Sequence, residues 1–414
     1  MLEQFFKNPA AVEPLGGEPL GPHIQSFATS LASLGYATST ARAHIEFLDD
    51  LGQWLVKNQI VVAGIDEEIV EAFLDERRRQ GRLRRGQSAT VQSFMDHLRS
   101  AAAIPSRELE IRETPLDLVE GRYERYLRTE RGLTTATVIN YLPFVHRFLI
   151  ERFGSEELRL GALGSSDISN FILHHSHSMS PGRAKLMVTA FRSFFRFLLQ
   201  CGEIEVDLAA SVPTVANWRL SSVPKYLTPK ELQGVLGACN QGTSTGRRDY
   251  AILLLLARLG LRAGEVIALN LDNIDWREGE ITVPGKGLFH DRMPLPVDVG
   301  QALATYLRQD RPPCESRRVF IRMKAPRRGL AHPSTVSTIV RRAVERAGVV
   351  PAVKGAHLLR HSLATDMLRQ GGSLAEIGEV LRHRVPNTTE IYAKVDFDGL
   401  RLLGLPWPGN GGEQ

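Results

Sequence analysis

Two stretches of this chain read as one helical hairpin written twice. LASLGYATSTARAHIEFLDDLGQWL, residues 31–55, can be laid over YLRTERGLTTATVINYLPFVHRFLI, residues 126–150, with a shift of 97 positions that brings 31–53 onto 128–150. Gly35 then meets Gly132, Thr38 meets Thr135, Phe47 meets Phe144 and Leu51 meets Phe148. In each copy a helix ends at a glycine turn, and a second amphipathic helix begins with Thr or Ser at its cap. A further helical stretch comes after each, EEIVEAFLDERR in the first and SDISNFILHH in the second. Helical hairpins resemble one another by chance, but here the turn and the apolar positions agree together, which favours duplication. The chain's 414 residues are too many for one core. The expected domains are an extra N-terminal helical module at 1–105, a second at 112–214, a third domain at 224–398 and a tail at 399–414.

Between the copies lies RRRQGRLRR, which supplies Arg77, Arg78, Arg79, Arg82, Arg84 and Arg85. Two readings stand level: a solvated helix end, and a set of phosphate contacts. A net charge of +5 suits a polyanionic partner without deciding between them. PGRAKLMVTAFRSFFRFLLQ, 181–200, is a helix apolar on one side and basic on the other. SVPTVANWRLSSVPKYLT, 211–228, is rich in Pro and Ser and reads as a linker. Cys201, Cys239 and Cys314 are scattered, which argues against a disulfide scaffold or a zinc site. The longest apolar run, AILLLLARLGL, is broken by Arg258 and too short to span a bilayer, and the N-terminus lacks a signal-peptide pattern. A soluble, cytoplasmic protein with no membrane partner is expected.

The C-terminal part starts at Thr228-Pro229-Lys230-Glu231, a capping box with Pro at the first helical position. Helices run to about 268. NIDW, EITVP and RMPLP then alternate like short strands, the last two joined through Gly285-Lys286-Gly287. Helices resume near 297, 334, 356, 373 and 387. The fold class is therefore mainly α, with one small β-sheet in the third domain.

That domain gathers an unusual polar set. Arg262 has Glu265 three residues on, at a spacing that braces it on a helix, although such a pair is commonly a surface salt bridge. HLLRHS puts His357, Arg360 and His361 on one helical face; His361 also reads as a merely packed histidine. Lys286 at a hairpin tip is ordinarily inert, but the flanking glycines let backbone come close to a ligand. Tyr392 sits in NTTEIYAKV, in polar surroundings and nine positions after His383, as if kept out of the core to reach a phosphate. Arginines, a lysine, histidines and a tyrosine without paired carboxylates suit a phosphodiester. Guanidinium forks bind two phosphate oxygens and favour a phosphorane-like transition state that gains charge. A tyrosine that attacks phosphorus leaves a covalent ester, which conserves the bond for rejoining. No Walker loop or carboxylate metal site is legible, so neither cofactor nor metal is expected.

The order GLRAGEV, GKGLFHDRMPLP, HLLRH and LRHRVPNTTEIYAKV resembles the tyrosine recombinase (phage integrase) family over roughly 120–396. The resemblance implies a C-shaped DNA clamp: α-helical, SAM-like core-binding structure on one side and an α+β catalytic domain on the other. It implies a site-specific recombinase of integrase or transposase type working on double-stranded DNA. Tyr392 would form a 3′-phosphotyrosyl bond and Arg262 and Arg360 would hold the non-bridging oxygens. Lys286 would protonate the leaving 5′ oxygen, His357 would handle the tyrosine proton, and His383 would hydrogen-bond the phosphate. Glu265 would be a buttress. It also implies a homotetramer on DNA, sometimes with other recombinases, the C-terminal segment with Leu402, Leu403 and Trp407 being lent to a neighbour. Arg382 departs from the family's usual glycine and is either another phosphate contact or turned to solvent. The extra N-terminal module reads as an arm-type DNA-binding module, a second clamp half or a protomer contact, and the arginine run favours DNA. Two rivals remain, a type IB topoisomerase-like strand relaxer and a non-catalytic DNA-binding accessory homologue. The clamp and motif spacing disfavour the first, the complete catalytic set the second.

Overall fold

The structure is a computed structural model and describes residues 2–6, 17, 19–105, 114–154, 157–216, 223–284, 290–351 and 353–395. The first module holds four helices, α1 (Gly21–Ser33), α2 (Thr38–Lys57), α3 (Glu67–Arg79) and α4 (Gln87–Ser100), with a 3-10 turn at Val62–Gly64. The second repeats that order with α5 (Pro115–Thr129), α6 (Thr135–Phe153), α7 (Ser165–Ser176) and α8 (Pro181–Gln200). Its 3-10 turn, Leu160–Ala162, falls at the same point, between the second and third helices.

Within the second helix of each module, buried positions coincide at the shift of 97. Phe47, Leu48 and Leu51 are buried in the first, as are Phe144, Val145 and Phe148 in the second. Phe94 meets the buried Phe191 at the same shift, and Phe73 meets the buried Phe171 at a shift of 98. Both inner turns need a left-handed residue, and glycine supplies it at Gly35 (φ 73°) and Gly132 (φ 56°). Capping differs between the copies. Thr134 accepts from the Thr137 N–H at the start of α6, whereas Ala37 precedes α2 and offers no side-chain cap.

The third domain is built around α10 (Ser244–Arg258), whose run Ala251–Ala257 is wholly buried; the apolar stretch that is too short for a bilayer is a core helix. Among the described residues no helix is long and apolar enough to cross a membrane. Around it pack α9 (Pro229–Gly237), α11 (Ala263–Ala268), α12 (Val297–Gln309), α13 (Pro333–Arg346) and α14 (Ala356–Arg369), and α15 (Leu374–Val380) packs on α14. The Thr228–Glu231 capping box forms as read from sequence. A three-stranded antiparallel sheet runs β1 (Ile274–Asp275), β2 (Glu280–Pro284), β3 (His290–Pro294) in that order. In it Ile281 pairs with Met293 and Pro284 with His290, so β3 starts two residues before the expected RMPLP.

By its contacts the chain forms two compact units: residues 107–221, and residues 1–106 together with 222–414. Within the latter the Leu34 carbonyl accepts from the Arg327 N–H at 2.8 Å, and Gly35 lies directly against the Arg327 side chain.

Candidate active site

Three turns of the third domain meet around one buried arginine. The first comes after α10, which ends in a left-handed glycine, Gly260 (φ 57°), with the Leu261 N–H returning to the Leu255 carbonyl. This reversal presents Arg262 as the N-cap of α11. The second turn comes after α15 and carries Leu381, Arg382 and His383. From α14, Arg360 donates one arm of its guanidinium to the Gly260 carbonyl and the other to the Leu381 carbonyl, so it ties the two turns together. Arg360 is only 3% exposed. Burial, then the neighbouring charges of Arg262 and Arg382, lowers its pKa to about 10, which leaves it cationic at neutral pH.

Glu265 is the shared counter-ion. One carboxylate oxygen accepts from the Arg262 guanidinium at 2.6 Å; the other accepts from the Arg262 backbone N–H and from Arg382, each at 2.8 Å. Burial would raise its pKa, but the Arg262 N–H and the charges of Arg382 and Arg262 outweigh that and lower it. Arg262 keeps 41% of its side chain exposed and so can still meet a ligand.

Arg382 corrects both sequence expectations for it. Its side chain, 7% exposed, is neither turned to solvent nor free for a phosphate; it is engaged by Glu265 and by the Leu259 and Val380 carbonyls. It does this from a left-handed backbone, φ 55°, where glycine would be at ease.

The third turn is a 3-10 helix, Glu390–Val395, and it carries Tyr392. The expectation that this tyrosine avoids the core is overturned. Tyr392 is 1% exposed and packs with Ala364, Ile377 and Leu381 in a small apolar cluster of its own. Its hydroxyl sits 2.8 Å from Nδ1 of His361. Burial pushes the phenol up to about 12, partly offset by Arg360. His361 is pushed down to about 4 by burial first and then by His357 and Arg360. With both groups neutral, the phenol keeps its proton and Nδ1 can accept it. His361 is thus the residue that sequence reasoning passed over; its place one turn beyond His357, on the face of Arg360, was the available clue.

His383 bonds the buried Thr389 hydroxyl through Nδ1 at 2.8 Å, and burial, then Arg360 and Arg262, lowers it to about 4. His357 is solvent-exposed at the edge of the cluster. The surrounding protein, then Arg360 and Arg262, lowers its pKa. No described contact joins His357 to Tyr392; its ring lies 6.2 Å from that of His361. Lys286 lies outside the described residues, as do Leu402, Leu403 and Trp407.

The arginine run is elsewhere, in the first module, and divides. Arg77 bonds Asp50 at 2.7 Å and Arg78 pairs with Asp75 and Glu71, while Arg79, Arg82, Arg84 and Arg85 are exposed.

This arrangement concentrates cations, neutral imidazoles and one phenol. It can bind a phosphodiester, stabilise charge on its oxygens and supply a nucleophile with an adjacent proton acceptor. Residues 225–398 match the phage integrase family. The chain is 44% identical to y4rA of Sinorhizobium fredii (strain NBRC 101917 / NGR234), described as an integrase/recombinase, over 94% of this chain and 95% of that one. It is 32% identical to the tyrosine recombinase XerC of Shewanella amazonensis (strain ATCC BAA-1098 / SB2B), over 67% of this chain and 92% of that one. Its fold is similar to the XerH site-specific recombinase in a post-cleavage complex with a palindromic difH substrate. The TM-score there is 0.55 at 20% identity, covering 72% of this chain and 98% of that one.

Proposed function

The chain belongs to the phage integrase family of tyrosine recombinases, and we propose that Tyr392 is the nucleophile with which it cuts and rejoins double-stranded DNA at specific sites. The observation that carries this is the phenol's placement beside a neutral imidazole, next to Arg360 and the Arg262–Glu265 pair.

In the forward step the Tyr392 oxygen bonds to the scissile phosphorus and the bond to the 5′ oxygen breaks. A 3′-phosphotyrosyl ester and a free 5′-hydroxyl result. Arg262 and Arg360 hold the non-bridging oxygens, which requires Arg360 to release a backbone carbonyl that it bonds in the DNA-free arrangement, and His383 hydrogen-bonds the phosphate. Lys286 gives its proton to the departing 5′ oxygen. Rejoining is the same displacement in reverse, with a 5′-hydroxyl as nucleophile, so it consumes no nucleotide.

The tyrosine proton goes to His361 rather than to His357. His361 already stands at hydrogen-bonding distance from the phenol, which His357 does not. An imidazole pushed to about 4, by burial first and then by His357 and Arg360, is a weak base at neutral pH, but an entering phosphodiester supplies negative charge that offsets Arg360. Substrate therefore raises the acceptor's affinity for a proton at the moment one must be transferred. The attack also requires Tyr392 to leave its apolar cluster, so the DNA-free arrangement is a resting one.

The assembled form on DNA is a homotetramer acting in the cytoplasm, with room for sister recombinases as partners. Residues 112–214 are its core-binding domain, 224–398 its catalytic domain and 1–105 a further copy of the core-binding fold.

Labelled duplex from the flanks of the gene, nicked near the cleavage point, tests this reading. Without metal or nucleotide it should give a protein–DNA band that survives denaturation, is lost with Tyr392→Phe and is strongly reduced with Arg262→Ala. A band undiminished in Tyr392→Phe removes the nucleophile from the account.

A further inference from the structure

Resting on the reading that this chain acts on DNA, we propose that its first helical module has its own binding site for the sugar-phosphate backbone of duplex DNA. The site is a groove between α2 and the α3–α4 turn, where Arg82, Arg84 and Arg85 take the phosphates. The groove encloses about 890 Å³, and its walls include Ser39, Thr40 and these three arginines.

The six-arginine run separates into two jobs. Arg77 is structural: besides its bond to Asp50, its guanidinium lies 5.2 Å from the Phe47 ring and 5.6 Å from the Phe73 ring. Arg78 is held by its own helix through Asp75 and Glu71. Among the described residues, the run's ion pairs end there. Arg82, Arg84 and Arg85 stand exposed in a turn bounded by two left-handed glycines, Gly81 (φ 67°) and Gly86 (φ 95°). Of the two acids in the groove, Asp50 is engaged by Arg77, which leaves Glu46 against three guanidinium groups. An open cationic surface with three exposed guanidinium groups suits successive phosphates better than one small anion.

Two features add to this field without carrying it. Both helices that start at the groove, α2 and α4, lack a side-chain cap and acidic residues in the first turn. By contrast α3 starts with Asp66, Glu67 and Glu68. The repeat relation extends to Phe47, which lines the groove. In the second module Arg183 lies 5.1 Å from the ring of Phe144, the counterpart of Phe47. Each copy therefore sets a cation on the same aromatic of the same helix.

The test uses full-length protein and a random-sequence duplex of roughly 40 base pairs, with affinity followed from about 50 to 300 mM salt. Replacing Arg82, Arg84 and Arg85 together by Ala should flatten the slope of log affinity against log salt by about 2.7, from about 0.9 per phosphate contact. At low salt the same variant should bind about tenfold more weakly or worse. The triple Arg→Lys variant keeps the charge and should keep the slope. An unchanged slope and affinity in the Ala variant overturns the proposal. So does equal loss in the Lys variant, or a preference for duplex RNA that the same three changes abolish. Covalent joining to nicked duplex requires Tyr392, whereas the salt slope of binding does not depend on it. A protein that binds through the groove yet forms no adduct therefore contradicts the catalytic reading and leaves this one standing.

Discussion

Residue by residue, the site is held by a few polar groups that each serve two neighbours. Glu265 sits between Arg262 and Arg382, so Glu265→Gln leaves two crowded guanidinium groups without their charge partner. Breaking such a buried pair costs about 3–5 kcal/mol. Single-turnover cleavage should fall by about ten- to a hundredfold through a displaced Arg262, with DNA affinity little changed. Parallel losses in affinity and rate would mean that Glu265 supports binding rather than positioning. Arg382→Gly removes the same link while relieving a left-handed backbone, so its stability cost should be the smaller of the two. The histidines give a pH signature. His361 and His383 are both pushed to about 4, below the ordinary value of 6.5, so the folded state resists protons that the unfolded chain accepts. The stability this provides is complete above pH 6.5 and is lost as pH falls from there toward 4. Thermal melts across that range should show the decline, and His361→Gln should shrink it; a melt indifferent to pH would contradict the assigned neutral state.

At the scale of elements, the helices were legible because apolar spacing and caps agree, as at Thr228–Glu231 and Ser373–Glu376. The strand EITVP was legible for its β-branched alternation. What sequence left hidden was decided by tertiary partners. Nothing in LRHRV says that Arg382 turns inward, because Glu265 lies 117 positions away. Nothing local says that Tyr392 is buried either, since its apolar neighbours come from α14 and α15. The paired glycine turns allow a comparison. A Cβ at Gly132 would meet open space, so Gly132→Ala should cost only the left-handed backbone, about 1 kcal/mol. Gly35→Ala carries the same strain and also collides with Arg327, so its melt should drop further. Equal losses would show that the Arg327 side chain moves aside without cost.

At the scale of the whole molecule, two four-helix segments of one order precede the residues that match the phage integrase family, and the first carries a cationic groove. Family membership was readable from four short motifs in order, because the chemistry demands those residue types. The histidine beside the phenol was not, since HLLRHS offers two histidines one turn apart and only the fold shows that His361 is the one at 2.8 Å from the Tyr392 hydroxyl. The account turns on one covalent bond. The most direct measurement is to trap the complex on nicked duplex, digest it with trypsin and nuclease, and locate the remaining nucleotide by mass spectrometry. It should sit on Tyr392, in the peptide Val385–Lys394. A nucleotide on any other residue, or a trapped complex with that peptide unmodified, would contradict the account.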